Sequence, residues 1–159
     1  MKQTESSSAS RTYHHALLEH ARQPRFAALP DGGRTLCLHN RLCGDEVEAG
    51  MVVRDGRIAA LGIQTNSCAI TTAVSSLLAE ALQGKTLVSA GALCRDALQQ
   101  MEGSALSEPS ASDIPELMRD ILGGIRGFPA RRRCATLPCE AVLGLLEKVA
   151  GAGGNLNGE

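Results

Sequence analysis

Three cysteines and one aspartate are the residues of this sequence whose types and spacing could do chemistry. Cys43 and Asp45 flank a single glycine, and a curled loop can direct a thiol and a carboxylate two positions apart at one ion. Cys68 is predicted at the start of a helix, where the positive end of the helix dipole favours the thiolate. Cys134 directly follows Arg131-Arg132-Arg133, whose positive charges favour the thiolate too. A shared metal site would explain all three cysteines, but three unrelated core thiols fit the same spacing.

A small antiparallel sheet is predicted to position the Cys43 loop. Leu36 and Leu38 alternate with polar residues and indicate a short strand over 34–39. A second period-two run, 47–53, ends at Asp55-Gly56, a dipeptide that favours the type I′ hairpin turn. The third strand returns over 58–63. Cys43 therefore belongs to the connection between the first two strands.

Helices are predicted before and after this sheet. A short one is indicated over 12–21, and an apolar stripe predicts another from about Cys68 to Gly84. A further helix is indicated over 87–100, and a capped helix start is indicated over 113–116. The apolar stripe over 137–149 predicts a last helix, which begins after Cys134. Strands followed by helices imply an α+β fold, a small antiparallel three-stranded sheet with helices packed on one face.

Composition narrows the function classes. The 159 residues carry 16 Lys+Arg and 17 Asp+Glu, and this balance argues against a nucleic-acid or anionic-membrane partner. Only Tyr13, Phe26 and Phe128 are aromatic, so a base-stacking platform is not expected. The sequence has neither a run of ~20 apolar residues nor a secretion signal, and we predict a cytoplasmic protein. The predicted domain, 11–150, lies between polar flexible tails at 1–10 and 151–159.

Three separated motifs carry a family resemblance. They are Leu42-Cys43-Gly44-Asp45, Ser67-Cys68-Ala69-Ile70-Thr71 and the stretch 128–137, which contains Phe128-Pro129-Ala130-Arg131 and Cys134. The chain resembles the IscU/SufU (NifU N-terminal) family of iron–sulfur cluster assembly proteins over about residues 13–149. Arg133 stands where IscU-type scaffolds usually have a histidine, and the long segment before it is similar to the SufU branch. Ser67 replaces a glycine usual in the family, and Cys139 replaces an aromatic residue.

The resemblance implies a zinc ion held by Cys43, Asp45, Cys68 and Cys134, with electrostatic support from Arg131. Cys43 would accept persulfide sulfur from a cysteine desulfurase, a SufS-like pyridoxal-phosphate enzyme, so the chain would be at most a sulfurtransferase. Downstream cluster-assembly proteins would be further partners, and the oligomeric state is left open.

Two alternatives remain at this point. In the first, the chain is a scaffold that assembles and transfers a [2Fe-2S] cluster on Cys43, Cys68 and Cys134, since thiolates suit that cluster too. In the second, the chain is a structural zinc module without sulfur chemistry. The structural reading predicts that loss of Cys43 unfolds the protein, whereas the transfer reading predicts a folded, inactive one.

The remaining cysteines and histidines receive simpler interpretations. Cys37, Cys94 and Cys139 are predicted to be small core residues, although Cys139 is close enough in sequence to Cys134 to be an extra thiol. The three histidines of the first helix are predicted on a solvated face: His14, His15 and His20. His39 is near enough to the Cys43 loop to form a hydrogen bond there.

Overall fold

The three strands form one antiparallel sheet in the order β1-β2-β3. The structure is a computed structural model that describes residues 14–42, 44–102, 114–125 and 127–157, with side chains up to 151. The strands are β1 (Arg34–Asn40), β2 (Asp45–Arg54) and β3 (Arg57–Asn66). Asp55 and Gly56 have φ angles of 55° and 71°, as the predicted hairpin turn requires.

Five helices belong to the described part of the chain. They are α1 (14–22), α2 (Ala69–Leu82), α3 (Leu87–Met101), α4 (Glu116–Ile125) and α5 (Pro129–Asn157). The predicted starts of α2 and α3 agree closely with the structure. Asp113, the predicted cap of α4, lies outside the described residues.

The predicted start of the last helix after Cys134 is wrong. The helix α5 begins at Pro129, so Cys134 lies within it. Proline suits the first helical position because its missing N–H has no partner there. The carbonyl oxygen of Phe128 accepts hydrogen bonds from the N–H groups of Arg131 and Arg132, which closes the first turn. The helical backbone continues to Asn157, through part of the predicted tail, and the domain boundaries stay a prediction.

The helices pack on one face of the sheet. Val47, Ala49 and Met51 of β2 are buried on that face, in one core with residues of α2, α3, α4 and α5. On the opposite face, the chain around Ala28 crosses the sheet so closely that its carbonyl oxygen occupies the space that a Cβ at Gly62 would need. This arrangement confirms the predicted α+β fold. Among the described residues, no helix is both long and apolar enough to cross a membrane.

Candidate metal centre

Three of the four predicted ligands meet where β2, α2 and α5 approach one another. Asp45 is the first residue of β2, Cys68 is the N-cap residue of α2, and Cys134 lies in the second turn of α5. One carboxylate oxygen and two sulfur atoms from these residues all lie within 4.8 Å of one another. Asp45 and Cys134 are only 6% and 7% exposed, and Cys68 is half-buried. One side of the group is therefore open to solvent.

The start of α2 holds the Asp45 carboxylate in place. The first N–H groups of a helix have no acceptor within the helix. The Cys68 N–H is one of them, and it donates to Asp45 Oδ1 at 3.2 Å. The Thr71 hydroxyl lies 3.2 Å from Asp45 Oδ2, within hydrogen-bonding distance. Because both partners belong to α2, the carboxylate is fixed relative to the helix that carries Cys68.

Thr71 is a fully buried residue that contacts all three members of the group. Its hydroxyl donates to the Cys134 carbonyl oxygen at 2.9 Å and lies 3.3 Å from Cys68 Sγ, besides its contact with Asp45. The single hydroxyl proton serves one acceptor at a time, so these contacts share it. Thr71 belongs to the sequence motif around Cys68, but the motif alone does not indicate a role for it. Its position three residues after Cys68 was the available signal, because that spacing places both side chains on one helix face.

Cys43, the predicted sulfur acceptor, lies outside the described residues, but its neighbours are described. The Gly44 N–H donates to the Asn40 carbonyl oxygen at 2.8 Å, and the Leu42 N–H donates to Asn40 Oδ1 at 3.1 Å. Asn40 is buried and pairs with Asp45 across β1 and β2. The loop is thus tied at both flanks to the strand position opposite Asp45. The role of Cys43 stays a prediction.

The arginines before Cys134 lie on the exposed side of α5. Arg133 forms an ion pair with Glu140, with a nitrogen–oxygen distance of 3.3 Å. The residue directly before Cys134 therefore contacts the next turns of its own helix. Arg131 is exposed, and its electrostatic role stays a prediction.

Ser67, which replaces the usual glycine, carries no backbone strain. In the described ranges, only Phe26 and Asp55 among non-glycine residues have positive φ angles. The Ser67 hydroxyl instead lies 3.2 Å from the Thr72 hydroxyl. The backbone before Cys68 accordingly suits an ordinary residue.

Two of the other cysteines are core residues, as predicted. Cys94 and Cys139 are 0% and 1% exposed. A hydrogen bond with Cys94, together with complete burial, raises the pKa of the Cys139 thiol well above its usual range. The Cys139 thiol is therefore expected to stay protonated and unreactive.

Cys37 and His20 differ from their predictions. Cys37 is exposed because its alternate position in β1 directs it away from the helices, so the prediction of a core residue is wrong. Partial burial, followed by a hydrogen bond to Glu46, raises the pKa of the Cys37 thiol. His20 is half-buried, and its Nδ1 lies 2.8 Å from the Ser76 hydroxyl, whereas His14 and His15 are exposed as predicted.

Comparison with known proteins agrees with this architecture. The family profile described as "NifU-like N terminal domain" matches residues 12–135. The chain is 27% identical to the iron-sulfur cluster assembly scaffold protein IscU of Streptococcus pyogenes serotype M1, over 88% of this chain and 86% of that protein. It is 24% identical to the zinc-dependent sulfurtransferase SufU of Bacillus subtilis, over 82% and 86% respectively.

A solved structure shares the fold at similar identity. The N-terminal part of a nitrogen-fixing NifU-like protein from Brucella abortus superposes with a TM-score of 0.69 at 25% identity. The match covers 86% of this chain and 92% of that one.

Proposed function

This chain belongs to the family of NifU-like N-terminal domains, among iron–sulfur cluster assembly proteins, and we propose that it is a zinc-dependent acceptor and carrier of persulfide sulfur. The observation that carries the proposal is that Asp45, Cys68 and Cys134 bring one oxygen and two sulfur atoms within 4.8 Å of one another. Solvent reaches this group at Cys68, which is only half-buried. The proposed sulfur donor is a cysteine desulfurase of the SufS-like, pyridoxal-phosphate class. The proposed recipients are downstream cluster-assembly proteins, and the cytoplasmic location stays a prediction.

The donor set fits zinc. Ligand atoms at ~2.0–2.3 Å from one tetrahedral zinc ion lie about 3.4–3.8 Å apart, and the three described donors lie within 4.8 Å of one another. Asp45, Cys68 and Cys134 would hold the ion together with Cys43, which the sequence places one residue before Gly44. When bound, zinc supplies a Lewis acid that keeps cysteine ligands deprotonated.

The transfer itself is a thiol–disulfide type exchange. The Cys43 thiolate attacks the terminal sulfur of the desulfurase persulfide. One sulfur–sulfur bond forms on Cys43 while the bond in the donor breaks, and the desulfurase cysteine leaves as a thiolate with the bonding electron pair. Asp45, fixed by the Cys68 N–H and the Thr71 hydroxyl, keeps its place while Cys43 reacts.

The core argues against a purely structural role for the metal. Small zinc modules need the ion because they cannot bury enough apolar surface without it. This chain instead fully buries large side chains that are not part of the candidate centre, including Leu82, Leu93 and Met118. Its fold therefore has its own source of stability, and the open side of the centre is available for chemistry.

Arg133 favours sulfur transfer over the cluster scaffold. IscU-type scaffolds usually have a histidine at this position. This chain has an arginine there, and it forms an ion pair with Glu140. An arginine is no metal ligand, because its guanidinium group stays protonated in proteins. The candidate centre thus has four donors with Cys43, which suffices for one zinc ion.

Elemental analysis and a sulfur-transfer assay test the proposal together. Protein purified without oxygen should contain stoichiometric zinc and show no visible absorbance, and it should stimulate a SufS-like desulfurase. Cys43→Ala should remain folded and lose the stimulation. Cys94→Ala, which removes a core thiol instead, should keep both zinc and stimulation. Brown protein with iron and labile sulfide, or undiminished stimulation by Cys43→Ala, would overturn the proposal.

A further inference from the structure

A second group of metal-binding side chains lies on the outer face of the sheet, away from the helices. Cys37 and His39 of β1 lie two residues apart, so they project from the same face. His39 pairs directly with Glu46 of β2, and Cys37 pairs with Glu48. Directly opposed residues of an antiparallel pair share a face, so these four side chains form one patch.

The distances within this patch suit coordination of one ion. Cys37 Sγ lies 3.7 Å from His39 Nε2 and 3.6 Å from Glu46 Oε1. His39 Nδ1 lies 3.6 Å from Glu46 Oε2. Sulfur, nitrogen and oxygen ligands of one tetrahedral zinc ion are separated by about 3.4–3.6 Å, from metal–ligand bonds of ~2.0–2.3 Å. One ring nitrogen of His39, Cys37 Sγ and one Glu46 oxygen all lie within 4.8 Å of one another. Small side-chain adjustments would bring these three atoms around a common centre.

We propose that Cys37, His39 and Glu46 form a second metal site that takes a divalent transition-metal ion of the zinc class. Thiolate and imidazole ligands select such ions over Mg²⁺ and Ca²⁺, which prefer oxygen. The nearby Glu48 adds negative charge that favours a cation. The His39 and Glu46 side chains are 61% and 46% exposed, so the fourth coordination position faces solvent and the ion is exchangeable.

The second site is separate from the first, although the two are neighbours in sequence. Asp45 and Glu46 are consecutive residues of β2, and consecutive strand residues point to opposite faces of the sheet. Asp45 is directed to the buried group and Glu46 to the outer patch, so one ion cannot serve both. An ion at the outer patch would join β1 to β2 at the base of the loop that leads to Asp45. This inference does not depend on the proposed sulfur transfer.

Alkylation of Cys37 gives a residue-specific test. Trypsin releases Cys37 within residues 35–41, separate from Cys43, so mass spectrometry can follow iodoacetamide labelling of Cys37 alone. At a zinc concentration ten times the Kd, mass action leaves about one molecule in eleven free, so labelling should slow about ten-fold. Magnesium at the same concentration should not slow it.

Matched variants separate a metal site from a general effect of zinc. His39→Ala and Glu46→Gln should remove the zinc protection of Cys37, whereas His14→Ala, which changes another exposed histidine, should keep it. Equilibrium dialysis should find one zinc ion fewer per chain in Cys37→Ser than in the wild type, and an unchanged number in Cys94→Ala. Circular dichroism of each variant verifies the fold.

Two results would overturn the second site. One is zinc protection that persists in His39→Ala. The other is Cys37→Ser binding as much zinc as the wild type. Neither result bears on the first site, whose zinc depends on Cys68 and Cys134.

Discussion

Replacement of Thr71 by valine removes one buried hydroxyl while keeping the shape of the side chain. The substitution deletes the hydroxyl contacts to Asp45 and to the Cys134 carbonyl oxygen, and it leaves Cys68 Sγ beside a methyl group. A hydrogen bond to a charged acceptor contributes about 1.5–3 kcal/mol, and a buried acceptor left without a donor costs a similar amount. The Cys68 N–H still donates to Asp45 in the variant, so the carboxylate is not left without a donor. We therefore expect the free energy of unfolding of the metal-free protein to fall by about 2 kcal/mol.

Thermal and urea unfolding of the metal-free protein measure this loss. For a domain of this size, about 2 kcal/mol corresponds to a fall in Tm of roughly 4–8 °C. Thr72→Val is the matched control, since Thr72 lies in the same helical turn and its hydroxyl contacts Thr65 and Ser67, outside the metal group. We expect the control to lose clearly less stability, and Thr71→Ser to recover part of the loss. Equal effects of Thr71→Val and Thr72→Val would show that the contacts of the Thr71 hydroxyl with the metal group add no particular stability.

Three further predictions concern stability. Burial, followed by the charge of Arg25, lowers the pKa of His20 from its usual 6.5, so the folded state binds this proton less readily than the unfolded state. The stability from neutral His20 is present above pH 6.5 and lost as pH falls through the lowered pKa. Below pH 6.5, Tm should therefore fall less steeply with decreasing pH in His20→Asn than in the wild type. Equal slopes in the two proteins would contradict this prediction. Gly62→Ala forces a Cβ against the Ala28 carbonyl oxygen and should lower Tm, whereas Gly127→Ala, which meets open space, should not. Removal of metal with a chelator should leave the far-ultraviolet circular dichroism unchanged, and unfolding on chelation would favour the structural zinc module.

Much of the fold was predictable because local signals decide it. The Asp55-Gly56 turn fixes the hairpin, since both residues adopt the positive φ angles that this turn needs. The apolar stripe from Ile70 to Ala81 gives α2, and Gly84, with φ 76°, follows its end. The start of α5 is not evident from the sequence because the apolar stripe begins at Leu137, beyond the exposed first turns of the helix.

The candidate site was predictable in its residues but not in its supporting contacts. The chemistry of Asp45, Cys68 and Cys134 and their motif context indicate that they act together. The hydroxyl of Thr71 reaches the Cys134 carbonyl across 63 positions of sequence, a contact that no local pattern encodes. Cys37 lies between Leu36 and Leu38, so the alternation of β1 already indicates the face opposite the helices. The interpretation as a core residue rests instead on the usual burial of free cysteines, which this position overrides.

The ligands of the first site can be counted directly by X-ray absorption at the zinc edge. The measurement is best made on Cys37→Ser, so that the outer patch does not contribute to the signal. We expect three sulfur neighbours at ~2.3 Å and one oxygen at ~2.0–2.2 Å. We expect fewer sulfur neighbours in Cys68→Ser. A zinc ion bound only by oxygen and nitrogen atoms, or by these with a single sulfur, would contradict the convergence of Cys43, Cys68 and Cys134 on one ion.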